Sequence, residues 1–194
     1  MLQEEERRRA ARLPRASVAC ETGFNWGTSA LAFLCASPHT RVRSFDLHGG
    51  YRTSQDAHGT PYLDTAAAWL RGRFPHRLNL TLGDSTREVP RLAEALARHG
   101  GAPCDLVLVD GGHEFPVAYA DMRSFSCAAR PGALMLADDC DFGGARAKRG
   151  AFLSYRQHLA EGRLEHLAAM NFSSLPPPLD RWGCLARYAH GSVA

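Results

Sequence analysis

The sequence lacks the features that would assign it to a membrane, a secretory route or a nucleic-acid complex. No apolar run approaches the ~18 residues that a membrane span needs, and no apolar stretch near Met1 resembles a signal peptide. The net charge is only +3 over 194 residues, and the dense charged run EEERRRAAR at 4–12 is nearly balanced, with three glutamates and four arginines. We therefore expect neither a membrane nor a nucleic acid among its partners.

The cysteines also lack the spacing of a metal or redox motif, since there is no C-x-x-C pair. Most of them fall in predicted strands and helices, where a free thiol is a small hydrophobic side chain. This pattern predicts reduced thiols and a cytoplasmic protein. The six residues are Cys20, Cys35, Cys104, Cys127, Cys140 and Cys184.

What is present is an alternation of short apolar strands and helices, with no internal repeat. Strands are predicted near 17–21, 41–46, 77–84, 104–110, 132–138, 163–170 and 182–189. This alternation is typical of an α/β protein with a doubly wound, mostly parallel seven-stranded sheet and helices on both faces. We predict a single domain over 1–194, divided into an N-terminal helix or tail at 1–15, a core at 16–140, and a helix with the last two strands at 141–194.

An acidic side chain stands at the end of each of the first five predicted strands. In a parallel sheet these ends share one edge, where ligands bind. Each acid alone is equally well explained as a turn former or helix cap. Crowded like charges are costly, however, so the group favours a ligand rich in hydrogen-bond donors or a cation. The acids are Glu21, Asp46, Asp84, Asp110, Asp138 and Asp139.

The first turn, ETGFNWGTSA at 21–30, follows a strand and opens a helix. Gly23 and Gly27 allow the backbone to approach a ligand closely. The turn is not the G-x-G-x-x-G of dinucleotide sites, because Asn25 replaces the second glycine and Glu21 would repel a phosphate. Asp46, at the end of the second strand, stands where ribose hydroxyls are usually bound. The turn therefore favours a cationic, ribose-containing ligand.

Five segments, in order, resemble class I S-adenosylmethionine-dependent methyltransferases, in particular the methyltransferase type 24 group, which includes metal-dependent sugar O-methyltransferases. They are CETGFNWGTSALAFL, VRSFDL, LTLGDSTREVP, DLVLVDGGHEFPVAYADMRSF and RPGALMLADD, and WGCLARY is similar to the closing strand. The resemblance covers about residues 17–140. It implies the Rossmann-like class I methyltransferase fold, a cofactor-binding core at 16–140, and O-methylation of a small hydroxylated molecule with S-adenosylmethionine as methyl donor.

The resemblance also implies roles for residues of the cofactor site. Glu21 and Gly23 would lie beside the methionine moiety, Asp46 would bind the ribose, and Asp84 and Ser85 would adjoin the adenine. The implied cofactor-binding residues are Glu21, Thr22, Gly23, Phe24, Asn25, Gly27, Ser29, Asp46, Leu47, Gly83, Asp84, Ser85, Asp110, Gly111 and Gly112.

The D-G-G-H turn at 110–113 is expected to carry the reaction. Asp110 would face both cofactor and metal, and the two glycines would leave room for donor and acceptor. The related sugar enzymes have a second acid where this chain has Gly112, so either His113 replaces it as the candidate base or the reaction needs no base. Mg²⁺ is expected at Asp110, Asp138 and Asp139, since it prefers oxygen ligands.

Two other functions stay open at this point. One is a nicotinamide-dependent Rossmann oxidoreductase, and the other is a non-catalytic binding module with the methyltransferase fold. The acceptor would be bound by loops at 47–61, 139–150 and 171–182, or by a partner subunit in a homodimer. The sequence does not name the acceptor.

Overall fold

The computed structural model describes residues 18–47, 61–140, 150–171 and 182–189. The predicted N-terminal helix or tail at 1–15 lies outside these residues, as does most of each predicted acceptor loop. The strands are β1 Val18–Thr22, β2 Arg41–Asp46, β3 Leu78–Leu82, β4 Cys104–Val109, β5 Ala129–Asp138, β6 Leu164–Asn171 and β7 Trp182–Tyr188. The helices are α1 Thr28–Ala36, α2 Pro61–Arg73, α3 Ser85–His99, α4 Phe115–Ala128 and α5 Gly150–Ala160.

The seven strands form one sheet in the order β3-β2-β1-β4-β5-β7-β6. The first five strands are parallel, and β7 runs antiparallel to both β5 and β6. This confirms the predicted doubly wound class I methyltransferase fold. Because β1 to β5 are parallel, their carboxyl ends meet at one edge of the sheet, which we call the rim.

A separate apolar core packs on each face of the sheet, which is why the central strands are apolar on both sides. One core contains Phe24, Leu34 and Leu70, from the first turn, α1 and α2. The other contains Val89 and Phe125, from α3 and α4, together with residues of α5. The rim therefore lies at the end of a sheet that is packed against helices on both faces.

The fifth strand begins earlier than predicted. Pro131 and Gly132 suggest a turn before residue 132, yet β5 starts at Ala129, directly after α4. Arg130 forms an ion pair with Asp105 at 2.7 Å, and Ala129 is paired with Cys104 of β4. These contacts to β4 hold the backbone extended through the proline.

Four of the six cysteines form disulfides, so the expectation of reduced thiols is wrong for them. Cys20 is bonded to Cys104, and Cys140 to Cys184. The first bond joins the neighbouring strands β1 and β4, a proximity that the spacing of 84 residues in sequence hides. Disulfides are typical of oxidising compartments, which removes the basis on which a cytoplasmic location was predicted.

No helix in the described part of the chain is long and apolar enough to cross a membrane.

Candidate active site

The first turn is fixed against the end of β4 by Gly23. Its φ is 86°, and its N–H donates to the Phe45 carbonyl oxygen at 2.9 Å. A Cβ at this position would lie 2.0 Å from the carbonyl oxygen of Asp110. Only glycine fits there, and the turn therefore brings together the ends of β1, β2 and β4.

Asp46 holds the same turn from the side of β2. One of its carboxylate oxygens accepts the backbone N–H of Asn25 at 2.9 Å, and Asn25 has a positive φ of 47°. Gly27 follows with φ 72°, and Phe24 is buried in the core. The side chain of Phe24 is thus structural, which leaves its backbone for any cofactor contact.

Glu21 lies on β1, fully buried. The Ser44 hydroxyl, on the paired strand β2, donates to its Oε1 at 2.5 Å, while Oε2 has no hydrogen-bond partner among the described residues. Burial is the main cause that raises the pKa of Glu21 to about 7, and the charge of nearby Asp46 also raises it. Hydrogen bonds from the Ser29 and Ser44 hydroxyls lower the pKa. The site therefore holds a carboxyl that is partly neutral at physiological pH.

A second buried acid, Asp121 of α4, lies on the opposite side of the sheet and was missed by the sequence analysis. Neither of its carboxyl oxygens has a hydrogen-bond partner in the described part of the chain, and nor does Thr22 Oγ1. Burial is the main cause that raises the pKa of Asp121 to about 6, and the charge of Asp84 raises this pKa further. The nearby hydroxyls of Ser85 and Thr22 lower the pKa, although neither is placed for a full hydrogen bond.

The signal for Asp121 was available in the sequence. The residue lies three positions after Ala118 and four before Phe125, both on the buried face of α4. An acid on the apolar face of a helix is costly to bury, and such positions are often functional.

Asp84 is the N-cap residue of α3. Its carboxylate accepts the Thr86 N–H at 3.0 Å and the Thr86 hydroxyl at 2.7 Å. The hydroxyl contact is the main cause that lowers the pKa of Asp84. Here the structural explanation of a strand-end acid holds. Leu47, after β2, is exposed, while Gly83 packs against the Glu88 side chain and Ser85 opens α3.

The two glycines of the D-G-G-H turn lie close to other side chains of the chain. A Cβ on Gly111 would lie 3.0 Å from Thr22 Oγ1, and one on Gly112 would lie 2.6 Å from a methyl carbon of Val117. The glycines therefore make room for the chain's own side chains. That they also leave space for donor and acceptor stays a prediction.

His113 follows this turn and is partly exposed. Its Nδ1 lies 3.7 Å from a carboxylate oxygen of Asp139, which is buried at the end of β5 and has a positive φ of 52°. Gly150, at the start of α5, packs closely against the residues that follow this turn, because a Cβ there would lie 2.1 Å from the backbone nitrogen of Phe115. The structure thus brings His113 and Asp139 together, a pairing that the sequence did not predict.

The predicted metal ligands do not form a ligand set. Asp110 follows β4 and Asp138 ends the neighbouring strand β5, as expected. Within the described ranges, however, no three His, Cys, Asp or Glu side chains are grouped closely enough to hold a metal ion. The metal stays a prediction, and we derive no catalytic step through it.

A groove of about 780 Å³ runs between α3 and α4, lined by residues that include Ala93, Tyr119 and Arg123. None of the rim residues lines it, so we assign it no part in the reaction.

The sequence profile of a family described as methyltransferase domain matches residues 20–140. The chain belongs to this family. It is an S-adenosylmethionine-dependent methyltransferase, and the oxidoreductase and the non-catalytic module are set aside as alternatives. The profile spans the first turn, the D-G-G-H turn and both acids at the end of β5. No curated protein matches the methyltransferase.

Solved structures similar to the methyltransferase include both N- and O-methyltransferases. The N-methyltransferase NodS from Bradyrhizobium japonicum WM9 is 12% identical with a TM-score of 0.59, and the match covers 96% of each chain.

A second is the 1,6-didemethyltoxoflavin-N1-methyltransferase of Burkholderia thailandensis, bound to its substrate and S-adenosylhomocysteine. It is 17% identical with a TM-score of 0.61, and the match covers 92% of this chain and 74% of that one. A third is an O-methyltransferase family 2 protein from Planctomyces limnophilus DSM 3776 in complex with apigenin. It is 16% identical with a TM-score of 0.58, and the match covers 97% of this chain and 60% of that one. At these identities the likeness supports the fold alone.

Proposed function

We propose that this methyltransferase transfers the methyl group of S-adenosylmethionine to a hydroxyl of a small molecule, with His113 as the base. The observation that carries the proposal is the pairing of His113 with Asp139 at the ends of β4 and β5. It places an ionisable ring beside the D-G-G-H turn, with a buried carboxylate on one side of the ring.

The first turn fits the donor. Glu21 Oε2 and Thr22 Oγ1 are buried polar atoms without a partner among the described residues, and such atoms cost free energy until a ligand or water satisfies them. Asp46 already orients the turn through Asn25 and has further acceptor capacity for ribose hydroxyls. Relatives of the same fold bind S-adenosylhomocysteine, which supports this assignment.

When bound, S-adenosylmethionine supplies a methyl group on a positively charged sulfur. In the transfer, the acceptor oxygen forms a bond to the methyl carbon while the carbon–sulfur bond breaks, and the electron pair stays on sulfur. His113 would take the hydroxyl proton at Nε2, because Nδ1 faces Asp139. Asp139 would hold the ring in place and stabilise the imidazolium that forms.

A hydroxyl acceptor explains the histidine better than an amine does. A hydroxyl is a poor nucleophile until its proton is removed, whereas an amine attacks well when it is neutral. N-methylation is therefore the competing outcome of the experiment below. The acceptor's identity depends on loops outside the described residues.

The test is methyl transfer by the intact protein from labelled S-adenosylmethionine to parallel panels of hydroxyl and amine acceptors. We expect transfer to hydroxyl compounds. His113→Ala should lower kcat about 10²–10⁴-fold, the usual cost of losing a general base, with little change in donor affinity. His39→Ala, an exposed histidine in the loop before β2, is the matched control. Equal rates in His113→Ala and parent at every pH would contradict the role of His113, and transfer to amines alone would contradict the acceptor class.

A further inference from the structure

Two buried carboxyls lie under the tip of β1, one on each face of the sheet. Glu21 faces Ser29 of α1 and Ser44 of β2, while the next residue, Thr22, faces Asp121 of α4. Successive residues of a strand point to opposite faces, so the strand tip separates the two acids. Both side chains are fully buried, and each has at least one carboxyl oxygen without a partner among the described residues.

Among the described residues, no cation acts on either acid. The ionisable group that acts on Glu21 is Asp46 at the end of β2. For Asp121 the ionisable groups are Asp84, which caps α3, and the phenol of Tyr188 on β7. An isolated buried carboxylate is expensive, and apolar residues would pack there at lower cost. The described contacts of the folded chain therefore do not explain the two acids.

The donor and the product of methyl transfer differ in charge at one atom. S-adenosylmethionine carries a positive sulfonium, and S-adenosylhomocysteine carries a neutral thioether in the same place. Their amino-acid and adenosine parts are the same, so a charge beneath the proposed donor site at the first turn, which we call the cleft, distinguishes them only through the sulfur.

We propose that Glu21 and Asp121 make the cleft prefer the cationic donor over the neutral product, and that this preference is switched on as the two carboxyls ionise. The inference rests on the proposed use of S-adenosylmethionine at the first turn. Glu21 would act from the turn itself. Asp121 would act through Thr22 and Gly111, since Thr22 Oγ1 and Asp121 Oδ2 both lie where a Gly111 Cβ would point.

The pH range follows from burial. With pKa values of about 7 and about 6, Glu21 and Asp121 are mainly neutral at pH 5.5 and mainly ionised well above pH 7. By Coulomb's law, a unit charge at a distance of about 10 Å and an effective dielectric constant near 20 would change the affinity for a sulfonium on the order of tenfold. The neutral thioether gains no such attraction, so the donor would compete with the product more effectively at neutral pH than at acid pH.

The experiment is calorimetric titration of the intact protein with S-adenosylmethionine and, separately, S-adenosylhomocysteine between pH 5.5 and 7.5. We expect the ratio of the product Kd to the donor Kd to rise about tenfold across this range. In the double variant Glu21→Gln/Asp121→Asn the ratio should stay constant. Glu165→Gln, which removes one exposed carboxylate on β6, should behave like the parent.

Proton counting provides a second measurement. A cation bound near a partly protonated carboxyl expels its proton, so binding of the donor near pH 6.5 should release more protons than binding of the product. Titrations in two buffers of different ionisation enthalpy measure this difference, and the double variant should abolish it.

The failures can be told apart. If neither ligand binds at any pH, the proposed function is wrong and this inference falls with it. If both bind but the ratio is constant in the parent, only the inference is wrong. His113 is also ionisable and is kept in the double variant, so a pH-dependent ratio that survives there would assign the effect to His113 and overturn the role of the two buried acids.

Discussion

The two halves of the proposed active site, the donor half at the first turn and the acceptor half at His113, differ in how they are held. In the donor half, backbone contacts fix the first turn to its neighbours: Gly23 to the end of β4, and Asn25 to Asp46. In the acceptor half, His113 meets Asp139 at 3.7 Å, which is longer than a hydrogen bond. The donor half is thus built to one geometry before any ligand binds, whereas the acceptor half depends on a looser pair of side chains. The predictions below test this difference, from the largest effect to the smallest.

The largest effect is expected from Gly23→Ala. The added Cβ would lie only 2.0 Å from the carbonyl oxygen of Asp110, which is a steric clash, and the positive φ of 86° also disfavours alanine. We expect loss of donor binding and a fall in stability of at least about 3 kcal/mol, since strained backbone alone costs about 1–3 kcal/mol. Calorimetry and chemical denaturation measure both.

Gly72→Ala is the matched control for that substitution. Gly72 lies inside α2, and its Cβ would meet nothing within 4 Å. Alanine should stabilise this helix by up to about 1 kcal/mol and leave donor binding unchanged. If Gly23→Ala bound the donor like this control, the first turn would not be the rigid half of the site.

Asp121→Asn should change how stability depends on pH. A buried acid whose pKa is raised from 3.8 to about 6 binds its proton more tightly when folded, so it destabilises the fold as pH rises from about 4 to about 6. By the linkage between pKa and free energy, this amounts to roughly 3 kcal/mol. The variant minus parent difference in unfolding free energy should therefore grow by that amount between pH 4 and 7. A difference independent of pH would show that Asp121 does not titrate in this range.

Asp46→Ala should weaken donor binding, because it removes both the contact to Asn25 and the proposed acceptor of ribose hydroxyls. Hydrogen bonds to charged groups contribute about 1.5–3 kcal/mol, so the Kd should rise roughly ten- to a hundredfold. Donor and product should be affected alike, since both carry the ribose. Unaltered Kd values would remove Asp46 from the donor site.

Much of this site was predictable, because it follows from local patterns. The run Val107–Val109 is apolar throughout, as a central strand must be, and this fixed the position of Asp110 at the rim. Asp46 was likewise predictable, because it is the last residue of the strand β2.

The parts that were missed depend on contacts between segments far apart in the sequence. Gly150 is required by the backbone at Phe115, and Gly111 lies in tight contact with the side chain of Thr22. Cys20 and Cys104 meet only because β4 lies beside β1 in the sheet. These contacts join segments that are far apart in the sequence, so no local sequence pattern predicts them. The sequence alone therefore did not explain why these glycines and cysteines occur at their positions.

The smallest effect is expected from Asp139→Asn, which keeps the size of the side chain and removes its charge. If Asp139 only orients His113 and stabilises its protonated form, kcat should fall about tenfold, an amount typical of losing one charge-assisted contact. The fall should be the same with or without excess EDTA. If EDTA abolished transfer by the parent, and Mg²⁺ restored it in the parent but not in Asp139→Asn, Asp139 would be a metal ligand, as the sequence resemblance implies.

The two disulfides divide the covalent chain into two closed loops joined by a linear stretch. One loop runs from Cys20 to Cys104 and the other from Cys140 to Cys184, and the stretch between them contains the D-G-G-H turn and Asp139. A single molecule pulled between residues 18 and 189 would therefore extend mainly through residues 105–139. Under tension the acceptor half of the site would unravel, while the loop holding Glu21 and Asp46 stayed closed. Reduction of the disulfides would release that hidden length, and the gain in extension at rupture would measure it.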